Sequence, residues 1–569
     1  MERAWKEKFG YVRFTAPAGP SSITRHLLRQ RGIAGQEVER FISPDYDRDL
    51  FDPFLFQDME KVVTRLDMAR KNGERVGILG DFDADGVTSS VIMREALAAL
   101  GIESVVHIPH KLNEGHGLSQ VAVTRFYDAG VRIILTLDCG MMNHAEIASA
   151  LALGMETIVI DHHHVPAILP PAYAIINPKI PTDTYPFRDL CGAGTSFKVA
   201  TALYRRLLPD RVDELKWLLD ITAIGTVADV MPLLGENRVL VKYGLIVLQK
   251  TRRLGLREMY AVGRIPIDDA HSPDARMIAF QIAPRINAAS RMAHAEIAHE
   301  LLFTSDQVRA RILALELESY NVARQKVSQA AAEKVRAIAE REFQNEKFVI
   351  AAGPEFPLGV VGLVAGKVAH EIGKPTGVFQ RGEVTSTGSF RSIAGFNIID
   401  ALEECADLFE KYGGHEQAAG LTIRNDRFDV FLERFGTIVR QRLQGVETVP
   451  ELLIDAELHP GDLSLELVSE MESLSPFGEG NPEPVFKLSG FEVRQARTVG
   501  KEGKHWKLTL GHPDHSQVID AVGWSLVSSF PDCRPGQRLS IVCQVEENAW
   551  NGRLALQLKL LDIKPLYVH

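Results

Sequence analysis

Three short acidic stretches have the spacing for joint chemistry. Asp81-Phe82-Asp83-Ala84-Asp85-Gly86 follows the apolar run VGIL at 76–79, Asp138-Cys139-Gly140 follows IILTL at 133–137, and Asp161-His162-His163-His164 follows TIVI at 157–160. Carboxylates gathered this closely repel one another and resist burial, so the simplest compensation is a cation. Hard oxygens with one or two imidazoles and no thiolate suit Mn2+ or Mg2+ better than a structural zinc. Cys139 reads as a small buried residue rather than a ligand. Aspartates at alternate positions of DFDAD can ligate two ions from one turn. Asp229 lies in the otherwise apolar stretch ITAIGTVADVMPL, where an Asp must be paired, capping or coordinated. Asp220 nearby is the weaker candidate. Two ions about 3.5–4 Å apart hold a hydroxide and a phosphate oxygen together, so phosphodiester hydrolysis is the natural chemistry. A neighbouring His can protonate the leaving oxygen. Each fragment alone has an ordinary explanation: an Asp after a strand commonly caps a helix or turn, and a His run is often solvated surface. DFDADG resembles part of a Ca2+ loop but lacks the downstream Glu.

A second set of residues suits phosphate. GVVGLVAG spans 359–366, Gly388-Ser389-Phe390-Arg391-Ser392 follows, and then Gly413-Gly414-His415-Glu416-Gln417-Ala418-Ala419-Gly420. GSFRS offers backbone N–H groups, two hydroxyls and one guanidinium, which together suit a terminal phosphate. GGHEQAAG lets backbone approach a ligand closely, with His415 as a polar anchor. The competing reading is tight turns and close helix packing. Arg285, in IAPRINAASRM, is either a salt-bridged structural residue or a phosphate contact.

The elements that must position these residues alternate between about 60 and 180. Short apolar runs (VGIL, SVVHI, VRIILTL, TIVI, AYAII) are separated by helical patterns, which argues for βαβ units and a parallel sheet covered on both faces. In such a sheet ligands bind at the carboxyl ends of the strands, where all three acidic clusters converge. Residues 190 to 300 read as helices. From Asp306 to Asn345 there is neither Gly nor Pro; one helix of that length would span about 60 Å, and two broken helices are the alternative. A second α/β segment opens with KFVIAAG. From about 450 the chain changes to short β-like runs between Gly and Pro turns, the pattern of a small β-barrel.

Composition bounds the rest. The 569 residues predict three to four domains at about 150 residues each. The formal charge of −10 excludes a uniformly basic nucleic-acid coat but not a local basic groove. Residues 487–510 are such a place: Lys487, Arg494, Arg497, Lys501, Lys504 and Lys507 face only Glu492 and Glu502, with His505 and Trp506 interleaved as a stacking platform. A solvated barrel face is the plain alternative. Five widely spaced cysteines without CxxC give neither a disulfide framework nor a zinc finger. No apolar run approaches the ~20 residues of a membrane span, and the start lacks the core of a signal peptide. A cytoplasmic protein without membrane association is expected.

DFDADG, LDCG, DHHH, GTVAD and GGHEQAAG, in this order, resemble the DHH phosphoesterase superfamily with its DHHA1 partner domain. LCGAGTSFK at 190–198, APRINA at 283–288, GVVGLVAG, GSFRS, SPFGEGNPEP at 475–484 and a C-terminal segment like an OB domain are similar to the single-stranded-DNA-specific exonucleases of that superfamily. The resemblance covers about residues 50 to 565. It implies an α/β multidomain chain: an N-terminal segment (1–50) packing on its neighbours, a parallel-sheet DHH catalytic domain (51–250), a helical connector (251–345), an α/β DHHA1 domain (346–448) and a C-terminal OB-like β-barrel (449–569). It further implies a Mn2+- or Mg2+-dependent, two-ion enzyme that degrades single-stranded DNA from its 5′ end to mononucleotides, in recombination and repair. A helicase and a single-strand-binding protein are the implied partners, and a monomer the expected state. By motif position the implied metal ligands are Asp83, Asp85, Asp138, His162 and Asp229, with Asp81, Asp161 and His163 as further ligands or proton-handling groups. Ser389, Arg391 and Arg285 match positions that grip the 5′ phosphate. Lys111, His116, His415, Lys501, Lys504, Trp506 and Lys507 complete the implied substrate contacts.

Four positions depart from the family pattern. Lys111 stands where Arg is usual and His116 where Tyr is usual. Pro357 replaces a His, and Ser290 replaces a common Gly. Lys111 keeps a charge for phosphate but loses the bidentate fork. Two other readings compete: a DHH phosphodiesterase acting on short oligonucleotides or cyclic dinucleotides, and a non-catalytic DNA-binding scaffold. The basic barrel and long helical stretch argue against the first, and the intact acidic and His motifs against the second.

Overall fold

The computed structural model describes residues 4–7, 20–111, 114–268, 271–445, 451–550 and 553–566. The chain forms two compact units. One comprises residues 20–321 with 469–483; the other comprises 322–468 and 484–569 with the N-terminal residues.

The first unit is built on a five-stranded, all-parallel sheet. Its strands lie in the order Ser104–His107, Arg75–Gly80, Val131–Leu137, Glu156–Ile160, Ala174–Ile176. The runs read from the sequence are these strands, and the Val, Ile and Leu side chains of the three strands Arg75–Gly80, Val131–Leu137 and Glu156–Ile160 are almost wholly buried on both faces. Each contributes about 1.5–3 kcal/mol of transfer free energy. The strands that end in Asp81, Asp138 and Asp161 are neighbours in this order, so their carboxyl ends form one edge. The helices Ala84–Ala99, Gly192–Leu207 and Leu219–Ala228 pack beside that edge. Helices between residues 254 and 317 join the same core through Leu256, Met259, Ile278, Ile286 and Leu313. Much of the stretch expected as a connector thus packs into the first unit.

The stretch without Gly or Pro forms a single helix, Gln307–Glu342. The second unit begins within it. Its first sheet has the order Phe409–His415, Ala418–Arg424, Thr385–Arg391, Thr376–Arg381, Val349–Gly353, antiparallel except for the last pair. Phe379, Phe390, Phe428 and Phe431 pack edge to face in its core, and Phe435 tilts against Phe390. The C-terminal strands run Phe486–Val499, His505–His512, His515–Gly523, Arg553–Pro565 and Arg538–Trp550, and the last pairs back with the first. That closure makes a five-stranded barrel and removes its open edges. Strand Ala4–Glu7 pairs in parallel with Glu451–Ile454. The expected boundary at 448 lies outside the described residues. Among the described residues no helix is long and apolar enough to cross a membrane.

Candidate metal centre and phosphate cradle

Asp83 caps the helix Ala84–Ala99: its Oδ1 accepts from the amides of Asp85 (3.0 Å) and Gly86 (3.2 Å). The turn is so tight that a Cβ on Gly86 would lie 2.4 Å from the Asp81 carbonyl oxygen. Asp85 turns inward and accepts from Gly192 N–H (2.6 Å) and Ala193 N–H (2.8 Å), the first amides of the helix Gly192–Leu207. A Cβ on Gly192 would meet Asp138 Cβ at 2.6 Å, so only glycine lets that helix approach the carboxylates. Asp138 ends its strand at φ +60°, a left-handed conformation that Asp tolerates and most residues avoid. Asp229 closes the helix Leu219–Ala228, and Val230 after it is also left-handed at φ +56°.

These turns gather the donors. His162 Nε2 lies 3.0 Å from Asp138 Oδ1, 3.5 Å from Asp229 Oδ2 and 3.7 Å from Asp85 Oδ2. Three overlapping sets have their ligand atoms within 4.8 Å of one another: Asp138, His162 and His163; Asp85, His162 and Asp229; Asp81, Asp83 and Asp138. Asp161 stands behind them. Its Oδ1 accepts from the amides of His162 (2.7 Å) and His163 (3.0 Å) and pairs with His163 Nδ1 (2.8 Å), while Oδ2 accepts from Met141 N–H. It therefore holds the backbone of both histidines and the ring of His163, and belongs to none of the three donor sets.

The electrostatics are those of a cluster short of positive charge. Burial, reinforced by neighbouring aspartates, pushes Asp85 up to about 6 and Asp229 up to about 8, and holds Asp138 well above the ordinary carboxylate range. Burial pushes the His162 imidazole down to about 3. The hydrogen bond to Asp161 raises His163 to about 9. Asp229 Oδ2 is buried with no hydrogen-bond partner. An orphaned carboxylate oxygen among buried acids and a neutral imidazole fits a pair of divalent cations. Cys139 is buried and its thiol is pushed up, in keeping with a packing role. Asp220 is no ligand: it accepts from Thr251 Oγ1 (2.7 Å) and Arg253 Nε (3.1 Å) in a buried ion pair.

His116 Nδ1 approaches Asp81 Oδ1 (3.2 Å) and its ring tilts against Phe82; Lys111 Nζ sits 5.0 Å above the same Phe82 ring. Two of the four departures from the family pattern thus lie beside Asp81 and Phe82. Arg285, read as either a salt-bridged residue or a phosphate contact, is held in an ion pair with Glu318. Its Nε and Nη2 fork onto Glu318, and its remaining donors go to the carbonyls of Gln281 and Gly263. Asn287 in the same motif was not foreseen: its side-chain oxygen accepts from Ala84 N–H (2.8 Å) and supports the DFDADG turn.

In the second unit Arg391 donates to Ser389 Oγ (2.8 Å) and the Phe390 carbonyl (2.8 Å). Gly362, in the first turn of the helix Val361–Ile372, backs onto both: a Cβ there would lie 3.2 Å from Arg391 Nη2 and 3.3 Å from Ser389 Oγ. Burial alone lowers the Arg391 pKa, with no carboxylate contributing. A half-buried guanidinium, a hydroxyl and a helix N-terminus are donors of the kind that suit an anion. GGHEQAAG turns out to be a β-hairpin, with His415 at the end of the exposed edge strand Phe409–His415.

On the barrel, Lys501 and Lys504 are exposed, Lys504 pairs with Glu502, and Lys507 is half-buried with Asp520 at 3.8 Å. Gln495, Arg497, Lys507, Thr509 and Asp520 line a hollow of about 370 Å³. Trp506 is corrected. It is only 6% exposed, and its Nε1–H donates to the Phe530 carbonyl (2.8 Å), so it packs the barrel. The exposed aromatic is Trp524, 58% accessible and edge-on to His505 at 5.0 Å between ring centres.

Family models match in three places: the DHH family N-terminal domain over residues 75–226, the DHHA1 domain over 345–441 and the RecJ OB domain over 454–562. The single-stranded-DNA-specific exonuclease RecJ of Bacillus subtilis is 34% identical over 542 residues, covering 95% of this chain and 67% of the relative. The Escherichia coli RecJ is 30% identical over 572 residues, covering 97% of each chain. The crystal structure of Thermus thermophilus RecJ with Mn2+ superposes with a TM-score of 0.81 at 29% identity, covering 98% of this chain and 80% of that one. Its Mg2+ complex gives 0.76 at 28% identity, covering 98% and 79%.

Proposed function

The chain belongs to the RecJ family of single-stranded-DNA-specific exonucleases, and from that membership we propose how its residues divide the work. The reaction is the hydrolysis of phosphodiester bonds in single-stranded DNA. Asp83, Asp85, Asp138, His162 and Asp229, with Asp81 beside them, would hold two Mn2+ or Mg2+ ions. Bound there, such a pair supplies a water nucleophile ionised near neutral pH and offsets the charge that grows on the phosphate. The chain's own side chains do the rest. Asp161 holds the backbone of both histidines and the ring of His163 through its Oδ1, and His163, kept protonated by that contact, gives its proton to the leaving oxygen. Ser389, Arg391 and the first amides of the helix Val361–Ile372 take the terminal 5′ phosphate, which sets a 5′-to-3′ direction and mononucleotide products. The barrel guides the strand. Because the substrate is single-stranded, a helicase that opens duplex and a single-strand-binding protein that keeps it open are the partners this activity calls for in recombination and repair.

The observation that carries this reading is the sharing of Asp138 and His162 between donor sets, which lets two cations sit side by side. The test is a Mn2+-dependent assay on end-labelled single strands. Asp138→Ala and His162→Ala should each lower turnover by at least roughly a thousandfold, about 4 kcal/mol of barrier, while far-UV circular dichroism stays unchanged. Near-normal turnover in either folded variant would remove that residue from the mechanism.

A further inference from the structure

The motif SPFGEGNPEP takes no part in the chemistry above, yet its place in the fold is specific. Residues 469–483 pack within the catalytic unit, although the chain on both sides of them belongs to the other unit. The motif forms a closed turn: Gly478 and Asn481 exchange backbone hydrogen bonds (2.9 and 3.2 Å), and the buried Asn481 amide donates to the carbonyls of Leu474 (2.8 Å) and Pro476 (2.9 Å).

This turn sits against the loop that begins at Asp229. Leu233 N–H donates to the Glu479 carbonyl (2.8 Å). A Cβ on Gly478 would lie 2.7 Å from Leu233 Cδ1, and one on Gly480, itself at φ +70°, would lie 3.1 Å from Pro232 Cβ. Just past the loop, the buried Arg238 donates to the carbonyls of Leu474 (2.9 Å) and Ser475 (2.7 Å). The loop needs such support. Val230 holds a left-handed conformation that a β-branched residue takes at a cost of about 1–3 kcal/mol, and a strained residue persists only where its surroundings over-determine it. The residue so held is next to Asp229, whose Oδ2 lies 3.5 Å from His162 Nε2 and which shares a donor set with His162 and Asp85.

We propose that the turn at 475–481 is a positioning element for the metal centre: by pinning the loop 230–234 from outside, it sets Asp229 where it completes the donor set with Asp85 and His162. The inference rests on the reading of Asp229 as a ligand. It assigns Gly478, Gly480, Asn481 and Arg238 a role beyond packing, because their effect travels through one carboxylate. The other two donor sets lack Asp229, so loosening the turn should touch one cation and spare its neighbour.

The experiment uses the full chain and Mn2+ itself. Gly478→Val and Asn481→Ala are titrated with Mn2+, free ion being counted by its paramagnetic resonance signal, and thermal melting is recorded alongside. Loss of an outer partner of a metal ligand typically costs about ten- to a hundredfold in affinity. We expect one of the two ions to weaken by that factor while the other binds as in the parent. At low Mn2+ kcat should fall, recover as Mn2+ is raised, and leave KM for DNA unchanged. A lower melting temperature with both Mn2+ affinities intact would overturn the proposal and leave the turn a packing element. Should Gly478→Val fail to fold, Gly480→Ala asks the same question with one methyl group. Asp229→Ala separates the premises. If it keeps both ions at parental affinity, the ligand reading fails. If it loses one while the turn variants keep both, only the positioning role fails.

Discussion

Asp85 and Asp229 show what the site costs before any cation arrives. Burial first, and neighbouring carboxylates second, push them up to about 6 and about 8. A carboxyl whose folded pKa is raised binds its proton more tightly folded than unfolded. The stability this gives is present below the ordinary carboxylate range and is lost as pH rises through the folded values. The metal-free protein should therefore lose melting temperature between about pH 5 and pH 8. Saturating Mn2+ should restore more of it at pH 8 than at pH 5.5, and scanning calorimetry with and without EDTA measures both. An equal Mn2+ gain at the two pH values would mean that the carboxylates are not what binds it. The two tryptophans make a second residue-scale contrast. Trp506→Ala should destabilise the barrel by about 3–5 kcal/mol, as loss of a buried aromatic does. Trp524→Ala should leave melting nearly unchanged and weaken binding of single strands by about 1–3 kcal/mol if bases stack there. Fluorescence anisotropy on a labelled oligonucleotide, read beside a denaturant curve, tells the two apart.

Elements explain which residues the sequence disclosed. The strand-end acids were legible because a continuous apolar run followed by Asp marks both the strand and its end, and parallel strands deliver their ends to one edge. Trp506 was also legible in principle. It shares parity with Leu508 and Leu510 on the strand His505–His512, so it faces inward with them, while Lys507 and Thr509 face out. Reading the basic residues without the alternation hid this. Arg285 is different, because its partner Glu318 lies on another helix and no local pattern points to it. The amides that hold Asp85 are equally hidden, since any helix N-terminus offers them and only the packing of Gly192 selects this one. Arg391 joins a strand to the start of a helix, and its role belongs to that junction. Arg391→Ala should cut the preference for a 5′-phosphorylated over a 5′-hydroxyl strand by roughly tenfold or more, the worth of a charged hydrogen bond, and lower maximal turnover less. A variant with the parental preference would assign the cradle to packing.

At the scale of the whole molecule, the charge balance of −10 hides a local surplus on the barrel. Replacing Lys501, Lys504 and Lys507 together by Ala should flatten the salt dependence of binding to long single strands. Each lost phosphate contact removes about 0.7 from the slope of log affinity against log salt. Oligonucleotides too short to reach the barrel should show no change, and an unaltered slope on long strands would exclude these lysines from the path of DNA. Point substitutions are the right instrument here. Removing everything after about residue 448 would delete the turn at 475–481 along with the barrel, and so disturb the Asp229 loop at the same time. Domain boundaries read from composition miss this, because a fifteen-residue return to the first unit leaves no compositional trace.

That return bears on how the protein is made. A ribosome finishes residue 321 about 160 residues before it reaches 483. At ~5–20 residues per second this is a wait of roughly ten to thirty seconds. Throughout that interval the nascent catalytic unit lacks the strand of chain that supports one of its carboxylates, and Thr24 lacks its partner Glu470. The first unit is thus completed by a later-synthesised piece of chain, and if the turn positions Asp229 as proposed, cleavage competence waits for residues 469–483.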